Sequence, residues 1–481
     1  MPASRPVAVV VLAAGEGTRM RSATAKVLHT LAGRSMLGHV VAAARVLDPE
    51  HLIVVVGHAR ESVTAALTAL DPAARAVVQA EQNGTGHAVR IAVEALAAPV
   101  ATALVGAAPV VALSGTIVVV PGDAPLLTAA TLQALVEHHE RTGAATTLLT
   151  AVLDDPTGYG RVVRDDATGV TGVVEHKDAT EAQRAITEVA TSVYAFDAEH
   201  LVTALGKLLT DNAQGEEYLT DVVGLHHEAG LTVAAHVAVE AAETMGVNDR
   251  AQLAEATREL RDRIVRGHLL AGVAIVDPCT AWIDVDVVLE PDATVLQDVQ
   301  LRSGTVVRRG AVVGPSSTLV GCEVGPGATV LRSHCVGAVI GAGAEVGPFT
   351  YLRPGTQLGV GAKAGAYVEI KNSRVGDGSK VPHLSYVGDA TIGERSNIGA
   401  GTIVVNYDGR DKHQTTIGSD SRVGSNNSLI APVAVGDNAY TAAGSSITAD
   451  VPDGALGVGR EQQRNIYGWV ARRRPAKGEN A

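Results

Sequence analysis

Long stretches of the chain between Leu289 and Ile447 carry an aliphatic residue at every sixth position. A period of six matches neither the turn of an α-helix nor the two-residue alternation of a simple strand. It is typical of the hexapeptide repeat, in which each hexad forms one flat side of a triangular coil and its aliphatic residue points inward. The pattern therefore predicts a parallel β-helix and argues against an ordinary β-sandwich of short strands.

The predicted inward positions form several runs that are separated by short interruptions. They are Leu289, Val295, Leu301, Val307, Val313, Leu319, Val324, Val330, Val336, Ile340, Val346, Leu352, Leu358, Val375, Val381, Val387, Ile392, Ile398, Val404, Ile417, Val423, Leu429 and Val435. A narrow interior accommodates Val, Ile and Leu but few rings, and only 3% of the chain is aromatic. The composition is therefore consistent with this interpretation.

The first half of the chain has a different pattern, with short aliphatic runs bounded by Gly, Pro or Asp at 7–12, 52–56 and 117–120. Strands of a parallel sheet that is buried on both faces have this appearance. Helical stretches such as 131–139 lie between them, so the order of elements alternates β-α-β. We therefore expect a Rossmann-like α/β domain over residues 1–248.

Residues 249–272 are rich in Arg and Glu and carry aliphatic residues at helical spacing, which predicts a helical arm. The β-helix domain would then occupy 273–481, including a tail whose last few residues we expect to be disordered. The segment 95–122 has no charged residue, but Pro and Gly interrupt it. We interpret that segment as a helix end, a loop and a buried strand, because a membrane span would be longer without breakers.

Charge and cysteine content exclude several classes of protein. The chain of 481 residues has a formal net charge of −12, so a nucleic-acid partner is not expected. Its three cysteines have no CxxC spacing, which indicates neither a disulfide framework nor a zinc knuckle. We expect a cytoplasmic protein without stable membrane insertion.

The loop at 12–20 follows the first predicted strand directly and is the first candidate for binding chemistry. Gly15 and Gly17 let the backbone approach a ligand closely and turn its N–H groups toward phosphate. Arg19 and Lys26 add positive charge for a polyphosphate. The loop is not a GxGxxG sequence, which counts against a dinucleotide site.

Asp123 follows the predicted strand 117–120 and is the second candidate. A carboxylate at the carboxyl end of a strand, in the crevice of an α/β sheet, is well placed to hold Mg²⁺ against phosphate. The third candidate is the polar, Gly-bearing loop at 79–88, which is suited to contact a base and admit a ring. Each feature alone is also compatible with an ordinary turn or solvated loop.

Charged and aromatic residues cluster in the predicted β-helix between 351 and 407. Arg353 and Lys371 are candidates to bind a phosphate, and His383 is a candidate general base. The candidates to surround a sugar are His383, Tyr386, Asn397, Asn406 and Tyr407. The hexads stop over 406–414 for a polar excursion, and an interrupted solenoid usually builds a binding face at such a place.

A zinc site like that of the γ-class carbonic anhydrases is a possible alternative for a parallel β-helix. Such a site needs a close pair of histidines and a third histidine. His334, His383 and His413 are far apart in the sequence, and no pair has ligand spacing. We therefore reject a catalytic zinc.

These residues and the motifs around them closely resemble the bifunctional N-acetylglucosamine-1-phosphate uridylyltransferase / glucosamine-1-phosphate acetyltransferase family of bacteria. The resemblance covers nearly the whole chain, and the two halves match independently. Its motifs are LAAGEGTRM at 12–20, KVLHTLAG at 26–33, QAEQNGTGHA at 79–88, DDPTGYGR at 154–161, VVEHKDAT at 173–180, AQGEEYLTD at 213–221, GVND at 246–249, YLRPG at 351–355, VEIKNS at 368–373, HLSYVGDA at 383–390 and NIGAGTIVVNYDG at 397–409.

The resemblance implies a left-handed parallel β-helix that forms a homotrimer, with acetyl-CoA bound between neighbouring β-helices. It also implies two reactions that serve cell-wall peptidoglycan synthesis. The C-terminal site would transfer an acetyl group from acetyl-CoA to glucosamine 1-phosphate. The N-terminal site, with Mg²⁺, would then join N-acetylglucosamine 1-phosphate to UTP and release pyrophosphate.

The resemblance also implies a role for individual residues. Those expected at the nucleotide sugar are Leu12, Ala13, Ala14, Gly15, Arg19, Lys26, Gln79, Gly84, Thr85, Gly122, Gly160 and Glu175, with Asp123 and Asn248 at Mg²⁺. Those expected at the amino sugar phosphate are Arg353, Lys371, Tyr386 and Asn397, with His383 as the general base. Those expected at acetyl-CoA are Ala400, Asn406, Tyr407, Ser425, Ala443 and Arg460.

Ala190 is the most consequential departure from the family pattern, which has a sugar-contacting Asn at this position; Ala25 and Pro121 also depart. One lost hydrogen bond should weaken uridylyl transfer by about 1 kcal/mol.

Two other assignments compete with this one. The nearest is another sugar-1-phosphate nucleotidylyltransferase with a β-helix tail, making ADP-glucose or GDP-mannose, which would not need His383 or Tyr386. The second is a non-catalytic regulatory subunit that binds nucleotide sugars. The presence of Lys26, Asp123, Asn248 and His383 together argues against it.

Overall fold

The computed structural model describes residues 5–97, 113–165 and 169–473. The chain divides into two compact units, Met1–Arg263 and Ile264–Ala481. Most of the loop that we expected within the uncharged segment falls on 98–112, outside the described residues. The predicted disordered end, at 474–481, also lies outside them.

The first unit is built on a nine-stranded mixed sheet and a separate two-stranded one. Its strands are β1 Ala8–Ala13, β2 Thr30–Leu31, β3 Arg34–Ser35, β4 His51–Val56, β5 Arg75–Val78, β6 Thr116–Pro121, β7 Thr146–Val152, β8 Gly160–Arg164, β9 Val170–Val174, β10 Glu188–Asp197 and β11 Val233–Val237. The main path has the order β11-β7-β10-β6-β1-β4-β5, and β2 pairs with β3. Strand β10 runs antiparallel to both of its neighbours in this path, whereas β1 is parallel to β4 and β6. The three strands predicted from the aliphatic runs are confirmed as β1, β4 and β6.

Helices cover the sheet and connect its strands. They are α1 Met36–Arg45, α2 Arg60–Leu70, α3 Thr85–Ala97, α4 Ala129–Thr142, α5 Glu181–Arg184, α6 Ala198–Leu205, α7 Asp221–Glu228 and α8 Arg250–Leu270, with 3₁₀ turns at Thr18–Met20, Lys26–Leu28 and Ala241–Thr244. The predicted helix at 131–139 is part of α4, which begins where Thr128 Oγ1 accepts a hydrogen bond from Thr131 N. Gly143, in the left-handed region, ends α4.

The helix α8 occupies the residues that the Arg- and Glu-rich pattern predicted to be helical. The point at which the chain divides into its two units falls within this helix. Among the described residues, no helix has both the length and the apolar character needed to cross a membrane.

The centre of the sheet positions the first candidate site. Residues Val9, Val10 and Val11 of β1 are fully buried, because α-helices pack on both faces of the sheet. Parallel neighbours end at the same edge, so the loop after β1 and the residues after β6 leave the sheet side by side. Gly122 N donates a hydrogen bond to Leu12 O at 2.8 Å, which fixes Asp123 beside the loop at 12–20.

The second unit consists of three stacked sheets of eleven, ten and nine strands. The first face contains Ala274–Ile275, Thr294–Val295, Val312–Val313, Thr329–Val330, Glu345–Val346, Lys363–Ala366, Lys380–His383, Asn397–Ile398, Arg422–Val423, Tyr440–Thr441 and Leu456–Gly457. The second face contains Trp282–Ile283, Val299–Arg302, Ser317–Val320, His334–Val336, Tyr351–Leu352, Glu369–Lys371, Tyr386–Gly388, Ile403–Val405, Ser428–Ile430 and Ser446–Ile447. The third face contains Val288–Leu289, Val306–Val307, Glu323–Val324, Val339–Ile340, Gln357–Leu358, Arg374–Val375, Ala390–Ile392, Thr415–Ile417 and Val433–Val435, and a short helix, α9 Trp469–Arg473, follows the stack.

Each strand pairs in parallel with the strand one coil later on the same face, as Val288 does with Val306. Three hexads therefore make one coil, and the unit is the predicted parallel β-helix. With the exception of Val336, the predicted inward residues form a continuous column of buried side chains. A Cβ on Gly341 would lie only 2.5 Å from the backbone of Gly359 in the next coil, which explains why Gly follows several inward aliphatic residues.

The prediction that Val336 points inward is wrong. Val336 is only partly buried, whereas Cys335 beside it is fully buried and pairs with Leu319 of the preceding coil. The chain is shorter by one residue between Val330 and this strand than a regular hexad would make it. A shift of one residue exchanges the inward and outward sides of a strand, because successive side chains point to opposite faces.

The neighbouring residues Cys335 and Val336 provide a test of this register. We expect Cys335→Asp to lower the free energy of unfolding of the β-helix by about 3 kcal/mol or more, because a carboxylate would enter a dry interior. Val336→Asp should cost no more than about 1 kcal/mol. Thermal and urea unfolding of both full-length variants, followed by circular dichroism, measures the difference. Equal destabilisation by the two substitutions would contradict the assigned register.

Candidate functional site

A cavity of about 550 Å³ lies in the first unit at the edge where β1 and β6 end. Most residues predicted at the nucleotide sugar or the metal line it. They are Leu12, Ala14, Gly15, Arg19, Gln79, Gly84, Thr85, Asp123, Gly160, Glu175 and Asn248. Ala13 is buried within β1 rather than in the lining, and Gly122 packs against the backbone of β1, where an added Cβ would lie 2.9 Å from Leu12 O.

Lys26, which was predicted to bind phosphate, contacts both residues that were predicted to bind the metal. Its Nζ lies 2.5 Å from Asp123 Oδ2 and donates a hydrogen bond to Asn248 Oδ1 at 2.8 Å. Arg19 Nη2 donates to the same Asn248 oxygen at 3.0 Å. A cationic group thus already lies between the two side-chain oxygens. This donor set, one carboxylate and one amide, suits a hard cation that takes its remaining ligands from phosphate and water.

Glu175 provides a second carboxyl group in the lining of the cavity. Burial raises the pKa of Glu175, although Thr220 Oγ1 donates a hydrogen bond to its Oε1 at 3.2 Å, which opposes the shift. Gly160 pairs with Ala190 on the neighbouring strand, and a Cβ on Gly160 would lie 3.5 Å from Glu175 Oε1. The absence of a side chain at Gly160 therefore leaves the carboxyl group accessible.

Ala190 lines the cavity together with Thr191 and Ser192. Ala190 offers no hydrogen-bonding side chain, and Thr191 Oγ1 donates its hydrogen bond to Leu149 O instead. Thr191, the next residue, therefore does not supply the hydrogen bond that was expected from an Asn at position 190.

The second unit carries a column of small residues that begins beside His383. Backbone hydrogen bonds run between adjacent coils, from Leu384 N to Ala366 O, Gly401 N to His383 O, Asn426 N to Ala400 O and Gly444 N to Ser425 O. This corner column therefore stacks Ala366, His383, Ala400, Ser425 and Ala443 on successive coils. The side chain of His383 is exposed, and the later members of the column, Ala400, Ser425 and Ala443, have small side chains that are half-buried or exposed. Arg460 Cδ lies 3.9 Å from the position of a Cβ on Gly444, so Arg460 is at the far end of that column.

Positively charged side chains gather at the second face. Arg353 Nη1 lies 2.9 Å from Glu369 Oε1, and Lys371 Nζ lies 3.3 Å from Asp389 Oδ2. Lys412 approaches Lys371 from the excursion, and the neighbouring Lys371 ammonium lowers the pKa of Lys412. A concentration of cationic groups of this kind attracts a phosphate.

Tyr386 belongs to the second face, next to these cations, and an added Cβ on Gly388 would collide with its hydroxyl oxygen. Asn397 does not join this cluster within one chain. It lies on the first face, where it pairs with Lys380 and Arg422. The residues predicted to bind the amino sugar phosphate are thus distributed over two faces of the β-helix.

The polar excursion folds back on itself. Tyr407 and Lys412 form an antiparallel bridge, and His413 N donates to Asn406 O at 2.8 Å. His413 Nε2 lies 2.7 Å from Asp408 Oδ2. Across the described parts of the chain, no group of three or more His, Cys, Asp or Glu is arranged to hold a metal ion.

Comparisons with known proteins agree with this arrangement. Residues 9–188 match the family model described as the MobA-like NTP transferase domain. The chain is 59% identical to the bifunctional protein GlmU of Streptomyces avermitilis over 476 residues, which cover 99% of this chain and 96% of that one. It is 57% identical to the GlmU protein of Streptomyces coelicolor with the same coverage. It is 53% identical to that of Mycolicibacterium vanbaalenii, covering 98% of this chain and 94% of the relative.

The chain belongs to the GlmU family of bifunctional enzymes. This confirms the family that the motifs predicted, with its uridylyltransferase and acetyltransferase activities, and with it the left-handed form of the parallel β-helix.

Several residues at the two sites were not singled out from the sequence. Gln82 Nε2 donates to Ala14 O at 2.8 Å, and Gln252 Oε1 accepts a hydrogen bond from Asn248 N at 2.7 Å. Tyr159 also lines the cavity, and burial raises the pKa of its hydroxyl. Lys412 and Asp389 are the corresponding residues of the second unit. Gln82 lies within the polar loop at 79–88, and Lys412 lies within the excursion, so the sequence indicated their segments but not their roles.

Proposed function

We propose that the second unit acetylates glucosamine 1-phosphate with acetyl-CoA and that the first unit joins the product to UTP, yielding UDP-N-acetylglucosamine and pyrophosphate. The observation that carries this assignment is the corner column, where His383 lies one coil from Ala400 and close in the chain to Tyr386. An exposed histidine, a column of small residues and a cluster of cationic side chains thus lie on the same few coils. Such an arrangement favours acetyl transfer to a sugar phosphate.

In acetyl transfer, the phosphate of glucosamine 1-phosphate would bind to Arg353 and Lys371, with Tyr386 and Asn397 at the sugar. His383 would take a proton from the amine, whose nitrogen then attacks the thioester carbonyl. Collapse of the tetrahedral intermediate forms the amide and releases CoA as a thiol once a proton reaches its sulfur.

Acetyl-CoA would extend along the corner column toward Arg460. Its contacts would be Ala400, Asn406, Tyr407, Ser425, Ala443 and Arg460. The small side chains leave room for the pantetheine arm, and the exposed Tyr407 and Arg460 can contact the polar end of the carrier.

In uridylyl transfer, an oxygen of the N-acetylglucosamine 1-phosphate group attacks the α-phosphorus of UTP, and pyrophosphate leaves. No protein nucleophile is required, because positioning and charge neutralisation supply the rate. Asp123 and Asn248 would hold Mg²⁺, which neutralises phosphate charge when bound. Arg19 and Lys26 would bind the triphosphate, and Glu175 and Gly160 the sugar. The nucleotide would lie against the loop at 12–15 and Gln79, Gly84 and Thr85.

The proposed catalytic regions are residues 1–248 for uridylyl transfer and 273–481 for acetyl transfer, joined by a helical linker at 249–272. The first region contains the cavity, and the second contains the corner column. We expect both reactions to take place in the cytoplasm, since UTP and acetyl-CoA are found there, and to supply peptidoglycan synthesis.

We also propose that the enzyme acts as a homotrimer in which the acetyltransferase site lies between copies. Phe349, Tyr367 and Leu384 form an exposed apolar stripe on three successive coils, and the rings of Phe349 and Tyr367 stack with centroids 5.2 Å apart. Exposed aromatic stripes of this kind favour protein association. The separation of Asn397 from Lys371 within one chain supports a site that a second copy completes.

Asp123→Ala should abolish pyrophosphate release, with a loss of at least about 100-fold, because the metal loses its carboxylate ligand. CoA release by the same preparation should be unchanged. Both are measured on the purified protein with acetyl-CoA, UTP, Mg²⁺ and the two sugar phosphates. A folded variant in which both activities fell together would contradict the assignment of separate sites.

His383→Ala should lower the kcat of acetyl transfer by roughly 10²–10⁴, the usual range for removal of a general base. Uridylyl transfer should be unaffected when N-acetylglucosamine 1-phosphate is supplied directly. Thiol release measures the first reaction and pyrophosphate release the second. Near-normal acetyl transfer would show that His383 is a surface residue and that another group takes the proton.

Replacement of the apolar stripe tests the trimer. Tyr367→Asp combined with Leu384→Asp should shift the sedimentation coefficient from that of a trimer to that of a monomer and reduce acetyl transfer at least about tenfold. Val339→Asp, an exposed aliphatic position on the third face, is the matched control and should leave the trimer intact. A monomeric wild-type protein that transfers acetyl groups would refute this proposal.

A further inference from the structure

Asp389 is contacted by side chains from neighbouring coils, although it has no direct part in either proposed reaction. It lies at the corner that follows the second face, adopts a positive φ of 53° and is only 8% exposed. Asp is among the few residues with a side chain that tolerate this backbone region. A buried carboxylate at such a corner is costly unless hydrogen bonds satisfy it.

Three side chains bind the Asp389 carboxylate. Asn372 Nδ2 donates to Oδ1 at 2.7 Å, Asn406 Nδ2 donates to Oδ2, and Lys371 Nζ lies 3.3 Å from Oδ2. Asn372 and Asn406 come from the coils before and after, so the three corner residues form a ladder. Burial opposes ionisation of the Asp389 carboxyl, but the bonds from Asn372, Asn406 and Lys371 outweigh it and hold the pKa below its usual value.

The backbone of Asp389 also holds the polar excursion. Thr415 N, directly after the excursion, donates a hydrogen bond to Asp389 O at 3.3 Å, while Asn406 at its start binds the carboxylate. Asp389 therefore fixes both ends of the segment that carries Tyr407 and Lys412. It also counters the repulsion that Lys412 exerts on Lys371, since two ammonium groups close together would otherwise separate.

We propose that Asp389 is a positioning residue for acetyl transfer, whose carboxylate holds Lys371 toward the sugar phosphate and Asn406 toward acetyl-CoA. The inference rests on the proposed roles of Lys371 and Asn406. One buried carboxylate thereby links the binding sites of the two substrates. Gly388, directly before it, keeps the space beside Tyr386 and Asn406 free, because a Cβ there would lie 2.8 Å from Asn406 Nδ2.

The first test is Asp389→Asn in the full-length protein. The variant keeps the size of the side chain but loses its charge. The NH2 group of the new amide would also face one of the hydrogen-bond donors Asn372, Asn406 and Lys371, so that hydrogen bond would be lost. We expect the KM values for glucosamine 1-phosphate and for acetyl-CoA both to rise, with each kcat/KM lower by roughly 10- to 100-fold, as for loss of hydrogen bonds to a charged group. Uridylyl transfer should remain within about twofold of wild type, because Asp389 contacts no residue proposed for that reaction.

A double-mutant cycle separates positioning from a general loss of structure. In a Lys371→Met background, Asp389→Asn should no longer raise the KM for glucosamine 1-phosphate but should still raise that for acetyl-CoA. In an Asn406→Ala background the pattern should be reversed. Destabilisation alone does not produce this reciprocal selectivity. Full additivity in both backgrounds, or unchanged KM values in Asp389→Asn, would overturn the inference.

Two further variants serve as a control and as a substitute for Asp389→Asn. Asp420→Asn removes another aspartate with positive φ, one that forms an ion pair with Arg395, and should leave both KM values unchanged. Should Asp389→Asn fail to fold, Asn372→Ala removes one partner of the carboxylate and should raise both KM values to a smaller extent; unchanged values would overturn the inference. Failure of the wild-type protein to release CoA would instead contradict the proposed function.

Discussion

The structure of the second unit depends on the stacking of one aliphatic side chain per hexad, three per coil, in a narrow interior. Each coil must place these residues directly above those of the coil before, since the parallel backbone hydrogen bonds fix the register between coils. A column of backbone hydrogen bonds then determines which outward residues become neighbours. The corner column that contains His383 exists for this reason, although its successive members are 17 to 25 residues apart in the chain.

Electrostatic pairing organises both candidate sites in a similar way. In the first unit Lys26 lies against Asp123, and in the second Lys371 lies against Asp389. In each pair a carboxylate holds a cationic side chain in place, so the phosphate sites proposed for Lys26 and Lys371 would be preorganised. Preorganised charge of this kind lowers the cost of binding, because the side chain does not have to be ordered by the ligand.

The two units place their candidate functional groups at different parts of the fold. In the α/β unit, parallel strands that are buried on both faces end at a common edge, and the loops that leave this edge carry the chemistry. The β-helix has no such edge, so its functional groups lie along the outer faces and corners. The candidate residues of the second unit are therefore spread over several faces and coils instead of being gathered at one sheet edge.

Periodicity and local motifs were sufficient to predict the main elements of the fold. The hexads predicted the β-helix because one residue in six has the same environment in every coil, and the aliphatic runs predicted β1, β4 and β6 because both faces of that sheet are buried. The sequence was also sufficient to identify the family, since its motifs are contiguous. Most residues expected at the nucleotide site do line one cavity, and several of them lie in the loops that follow the parallel strands β1, β5 and β6 and leave the sheet at the same edge.

The tertiary structure alone determined which residues that are distant in the sequence come into contact. The inward position of Cys335 rather than Val336 depends on a shortened corner, which no periodic pattern reveals. Asp389 contacts Lys371 and Asn406 one coil before and one coil after it, and Asn397 lies on a different face from Lys371. A linear sequence specifies which residue types are present, but the length of each coil and corner determines which of them meet. The physical reason is that contacts depend on the register between coils, and one residue more or less changes that register.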